Sequence, residues 1–297
     1  MSTTKKKIRP EQRPPLLAAF AVTTAAVALL WHFVSRRKCK CKNDSNNKAA
    51  IDKATVDKST VNVGSVLPCF SATGPYFGKV YLDYNATSPI FPEVTEAMQP
   101  FLSCHWGNPS SVHCFSSHCR EGLDLARQRV ARMLGEDVVK EEIVFCSCGS
   151  EADNHAIVTA VHAALQQWKK KSSSSGNVDV DVDADDKPHI ITFAIEHPAI
   201  VNCLKHLHNK GEIDEPTILP VNSDGVVDLD ALRQALRPTT ALVTIMHSNN
   251  EIGSLQPIRE IVDIVRQYEQ EGKAKGRVFV HTDAAQSCGK VIRVLQT

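Results

Sequence analysis

From about residue 142 to residue 282 the chain alternates short apolar runs with segments of helical periodicity, and that alternation limits the architecture more than anything else in it. The runs are "EIVFC" (142–146), "HIITFA" (189–194), "TILPV" (217–221), "ALVTIM" (241–246) and "VFVHT" (278–282). Helical spacing fills 150–168, 198–209, 228–236 and 257–270 between them. Strands that recur only after a helix cannot be joined as hairpins, because each crossover returns the chain to the same end of the sheet. The expected class is therefore α/β with a mostly parallel sheet.

Upstream, "VYLDYNATSP" reads as a short strand entering a turn. Residues 92–102 then carry Val94, Ala97, Met98 and Phe101 at helical spacing. A second helix is expected from Ser117 to Gly135, with Leu123, Leu125, Ala126, Val130, Met133 and Leu134 as its stripe and Gly135 at its C-terminal cap. The stretch "KKKSSSSGNVDVDVDADDK" (169–187) has no apolar face and reads as a disordered surface insertion.

With 42% hydrophobic and 23% charged residues the 297-residue chain has the composition of a globular protein. Its net charge of +1 gives no nucleic-acid footprint. The ten cysteines include no CxxC pair and no zinc spacing, so a reducing compartment fits best and no metal is expected. Cys146 and Cys148, which flank a turn, read as small packing residues.

The amino end stands apart. After a basic segment (1–15), residues 16–34 pass without a formal charge, long enough to span a bilayer. A cleaved targeting segment or a buried core helix would also account for the run. The expectation is a single-pass transmembrane anchor, because the run exceeds a usual signal segment and no small-residue cleavage site follows it. Basic residues on both sides leave orientation and organelle open. Residues 35–78 are polar and aperiodic, a disordered tether to a domain covering 79–297.

In an open parallel sheet, ligands bind beyond the carboxyl ends of the strands. Just past "EIVFC" come Gly149, which lets a ligand approach the backbone, and Ser150, an expected N-cap; this is either an anion site of the phosphate type or an ordinary helix cap. Past "HIITFA" comes His197, past "ALVTIM" come His247, Asn249 and Asn250, and past "VFVHT" come Asp283 and Gln286. A metal site of His197, His247, His281 and Asp283 would leave the phosphate-type turn unexplained. A flat heteroaromatic cofactor with a phosphate tail would use the whole set: phosphate on Gly149 and Ser150, ring nitrogen on Asp283, phenolic oxygen on Asn250 or Gln286, ring face on His197. Pyridoxal 5'-phosphate fits that description, and an acid beside its pyridine nitrogen favours the electron-withdrawing protonated ring.

At "YLDYNATSP", "GNPSS", "EIVFCSCGSEADN", "IEHPAI", "IMHSNNEIGSLQPI" and "HTDAAQSCGK" the chain resembles the class V aminotransferase-fold cysteine desulfurases, the NifS/IscS-like family, with selenocysteine lyase as a close relative. The ordered match runs from about Val80 to Val294. The resemblance implies the large domain of the fold type I PLP-dependent transferases, a homodimer, and transfer of sulfur from L-cysteine, through an enzyme persulfide, to an acceptor protein for iron–sulfur or thiolation pathways. It gives Gly149 and Ser150 to the phosphate, although Cys148 stands where a glycine is common. It places His197 on the ring as the catalytic position present, Asn250 and Gln286 near the ring oxygen, and Asp283 on the ring nitrogen.

The resemblance also implies a Schiff-base lysine about a dozen residues beyond Thr297, and a mobile-loop cysteine further on. Neither is in this sequence, and Lys290 and Cys288 are poor substitutes. The expectation is a C-terminally truncated chain lacking the last strands and the small domain. Two readings stay open: a desulfurase or selenocysteine lyase whose sequence continues, or a non-catalytic fragment.

Overall fold

The computed structural model describes residues 79–174 and 186–290, with the side chains of 171–174 left aside. They fall into two compact units that meet in the chain between Gly122 and Leu123.

In the first unit, α1 (Pro92–Ser103) starts on a proline, whose fixed φ suits the first helical position. Of its expected apolar stripe only Val94 is buried; Met98 and Phe101 stay exposed. Residues 80–82 have no regular secondary structure, so the strand expected in "VYLDYNATSP" does not form. The loop after α1 is closed by its own hydrogen bonds, with the Ser116 hydroxyl donating to the carbonyls of Ser111 and His113, each at 2.6 Å. A Cβ on Gly107 would sit 2.2 Å from the Phe115 carbonyl oxygen, which explains the glycine there. The helix α2 (Ser117–Leu134) follows. Gly135 follows it directly, at the position expected for its end, with its N–H donating to the Ala131 carbonyl at 3.1 Å and without a left-handed φ.

The second unit is built on a four-stranded sheet. After α3 (Gly149–Ser174) come β1 (His189–Phe193), α4 (Pro198–Asn209), β2 (Thr217–Leu219), α5 (Leu229–Ala235), β3 (Thr240–Thr244), α6 (Ile258–Gln270) and β4 (Phe279–His281). The order across the sheet is β2-β1-β3-β4 and every pairing is parallel. Alternate residues of a strand face opposite sides. Accordingly, Ile190 and Leu242 join a cluster with Ile157, Val161, Ile200 and Leu204 of α3 and α4, whereas Ile191, Phe193, Val243 and Ile245 join one with Leu232, Ile261 and Val265 of α5 and α6. Helices thus cover both faces, which is why β1 and β3 are buried along their whole length. Among their buried polar residues is His189, at the amino end of β1. Its ring nitrogens meet the hydroxyls of Thr240 and Thr217 at 3.0 and 2.8 Å, and burial pushes its pKa down to about 4.

Three expectations need correction. Residues 143–146 form no strand; Ile143 is buried while Val144 and Phe145 remain largely exposed, with the Arg127 guanidinium over the Phe145 ring. The helix expected to stop at 168 continues to Ser174, taking the first residues of the supposed insertion; residues 175–185 lie outside the described residues. The transmembrane anchor and the membrane localisation are withdrawn: no helix among the described residues is long and apolar enough to cross a membrane. The 16–34 run itself lies outside the described residues, as do the basic segment and the tether.

Candidate functional site at the carboxyl edge of the sheet

Because β1, β3 and β4 run parallel, their carboxyl ends share one edge, and short polar contacts lock those ends together. The carboxylate of Glu196, just past β1, accepts the Met246 N–H at 2.6 Å. The Asn249 amide donates to the Ile195 carbonyl at 3.2 Å, and the His247 N–H donates to the Asp283 carbonyl at 2.8 Å. Each contact spans two strand ends, so the residues flanking them are fixed relative to one another.

His197 caps α4: its Nδ1 accepts the Ala199 N–H at 3.2 Å, and its ring is exposed. Asp283 is buried, and its Oδ1 accepts the Ala285 N–H at 2.9 Å, which starts the tight turn carrying Gln286. The Gln286 side-chain carbonyl accepts from Lys290 Nζ at 3.0 Å. Asn250 is half-buried. Its neighbour Asn249 is committed to the scaffold, since its side-chain oxygen accepts the N–H groups of Glu251 and Ile252, both at 2.9 Å. Asn249, named at this strand end in the sequence without a role of its own, is thus part of the scaffold.

The start of α3 reaches the same edge. Asp153, one turn into the helix, lies 3.6 Å from His281 Nε2, and His281 Nδ1 meets the Thr244 hydroxyl at 2.8 Å. Gly149 and Ser150 therefore sit at the helix N-terminus nearest the end of β4, with unsatisfied backbone N–H groups as every helix start has. Ser150 is not the N-cap. Glu151 reaches back to the N–H and hydroxyl of Ser147 at 2.5 and 2.6 Å and starts the helix at Gly149, which leaves Ser150 exposed in the first turn. Those bonds lower the Glu151 pKa. Cys148 is exposed, contrary to the packing role expected of it.

Sequence reasoning passed over the buried acids behind this edge. Glu196 is pushed up to about 8 by burial and by the carboxyls of Asp283 and Asp153, against the pull of the Met246 N–H. Asp153 is pushed up to about 7 by burial and by Asp283. Burial holds His281 down to about 4, and lowers His247 as well. At 3.6 Å, Asp153 and His281 are too far apart for a hydrogen bond, and both shifts oppose an ion pair, so the contact is between neutral groups through most of the range from pH 4 to 7. Glu196 and Asp153 had one signal in the sequence: each is an acid at a place where the flanking apolar periodicity demands burial. Among the described residues no group of three or more metal-ligating side chains is arranged to hold a metal ion.

The comparisons with known proteins agree with one another. The aminotransferase class-V family matches residues 80–173 and 177–294. A cysteine desulfurase from Nostoc sp. is 42% identical over 212 residues, covering 71% of this chain and 45% of the relative. The selenocysteine lyase of Rattus norvegicus is 37% identical over 223 residues, covering 74% of this chain and 50% of the relative. Among solved structures, a NifS-like protein superimposes with a TM-score of 0.58 at 33% identity, over 70% of this chain and 49% of its own. One described as SspA in complex with cysteine gives 0.56 at 31% identity, over 70% and 51%. The chain thus spans about half the length of the curated relatives it matches.

Proposed function

Since the chain belongs to the class-V aminotransferase family, we propose that its strand-end edge is the cofactor site of a pyridoxal-phosphate-dependent cysteine desulfurase, which releases sulfur from L-cysteine to leave L-alanine and passes the sulfur to an acceptor protein. The observation that carries this reading is the setting of Asp283. It is buried where the ends of β3 and β4 meet, its main chain is held by His247, and its carboxylate is oriented by the Ala285 N–H. A buried acid so fixed suits a protonated heterocyclic nitrogen, and a helix start with Gly149 and Ser150 suits a phosphate. Those two features come from one edge, and a phosphate-bearing pyridine asks for both.

The remaining roles follow from position. His197 offers an exposed ring at the end of β1 to lie on a flat ligand, while Asn250 and Gln286 bring amides to the ends of β3 and β4. Bound there, pyridoxal phosphate would supply an electron sink for the substrate's Cα bonds. The chain's own part would be to hold the ring and fix the charge beside its nitrogen. The homodimer and the acceptor protein are proposed with the family reading, and sedimentation of the purified protein tests the first.

Titrating the chain with pyridoxal phosphate and following its absorbance tests the site. Saturable binding that weakens on Asp283→Asn by about tenfold, the loss of one charge-assisted contact, is the expected result. No saturable binding in the unsubstituted chain rejects the reading. Selenocysteine lyase is the second reading, favoured by the 223-residue match to the rat protein. Adding L-cysteine and L-selenocysteine separately to the loaded protein, and reading which one shifts its spectrum at lower concentration, separates the two.

A further inference from the structure

Glu196 has an arrangement that an ordinary surface carboxylate would not tolerate. Only 8% of it is exposed; Oε1 is 2.6 Å from the Met246 N–H, while Oε2 is buried without any hydrogen-bond partner. The charged groups acting on it are acids, Asp283 beyond β4 and Asp153 on α3. The titratable groups that face this edge from the packed elements are His247 after β3 and His281 on β4, with His197 next in its own chain. Burial keeps His281 and His247 from gaining protons readily, which leaves them ill-suited to neutralise a carboxylate. A charged carboxylate with one unpaired buried oxygen beside two further acids is among the costliest placements a side chain can have.

We propose that Glu196 is a positioning residue that works as a carboxylic acid: Oε1 fixes the end of β1 against the end of β3, and the proton on its other oxygen keeps a second negative charge away from Asp283. A cationic heterocycle bound at the edge would then meet the charge of Asp283 without that of its neighbour. The upward shift of the Glu196 pKa to about 8 agrees with the geometry. The consequence for the cofactor rests on the proposed function, but the protonation of Glu196 does not, and the two can fail separately.

The test compares the full chain with Glu196→Gln, which keeps the acceptor for Met246 and replaces the O–H by an amide. Denaturant unfolding is measured from pH 5 to pH 8.5. Because the folded-state pKa is raised from 4.5 to about 8, the stabilisation is complete below the lower value and drains away as pH climbs through the upper one. The wild-type folding constant should therefore fall relative to the variant by up to about tenfold per pH unit in that window. Parallel profiles, or a wild type that gains on the variant as pH rises, overturn the proposal. Should Glu196→Gln fail to fold, wild-type protein labelled with 13C at the glutamate carboxyls decides the point. A buried glutamate titrating near or above neutrality supports it, and acidic midpoints for all of them overturn it. Pyridoxal phosphate titration of the same proteins adds the second readout. A wild type that shows the pH signature but binds no cofactor refutes the cofactor reading alone.

Discussion

Asp153 and His281 show how much a strand-end edge can depend on side chains nearly shut off from solvent. Burial moves them in opposite directions, the carboxyl up to about 7 and the imidazole down to about 4, so they share their contact as neutral groups. Their effects on stability oppose each other. The raised Asp153 contributes stability that is full below its ordinary value of 3.8 and lost as pH rises through about 7; the depressed His281 contributes stability present above 6.5 and lost as pH falls through about 4. Asp153→Asn should therefore gain on the wild type in urea unfolding as pH rises from 5 to 8, and His281→Asn should gain on it as pH falls from 7 to 5. Cysteine chemistry follows the same principle: burial raises the Cys288 thiol, whereas Cys148 is exposed at the start of α3. Iodoacetamide at neutral pH should label Cys148 well before Cys288, as peptide mass spectrometry would show.

The elements most legible in the sequence were those whose local signals and tertiary needs coincide. The helix α4 matches its expected limits because Pro198 sets its start and His197 caps it; β1 and β3 were readable because five buried residues in a row suit a strand covered on both faces. The segment 142–146 failed for the opposite reason. Apolar, β-branched composition marks strand capacity but cannot say whether a neighbouring strand accepts its backbone bonds. At Ser150 the local residue type was favourable, yet Glu151 reached back to Ser147 and moved the helix start. Two substitutions test the connecting elements. Asp228 accepts the N–H groups of Asp230 and Ala231 at the start of α5, so Asp228→Ala should cost about 1 kcal/mol in urea unfolding. Gly225 has a φ of +72°, and a Cβ there would come 2.5 Å from Ile252 Cδ1, so Gly225→Ala should cost at least about 1 kcal/mol.

Across the whole second unit, two apolar clusters lie on opposite faces of one sheet, with Ile200 and Ile261 both fully buried in different clusters. Ile200→Ala and Ile261→Ala should each cost about 2–5 kcal/mol, and in the double variant the losses should add to within about 0.5 kcal/mol, because the sheet separates the two cavities. A markedly non-additive result in equilibrium unfolding would mean that the faces relax together. The order β2-β1-β3-β4 also sets a timetable. On a ribosome Asp153 and Glu196 emerge first, yet the strand that brings Asp283 to them is made after the other three described strands. At about 5–20 residues per second the interval from Asp153 to Asp283 is on the order of ten seconds. Throughout it β3 has an open flank where β4 will dock, so a nascent chain paused in this interval would be the form most in need of a chaperone.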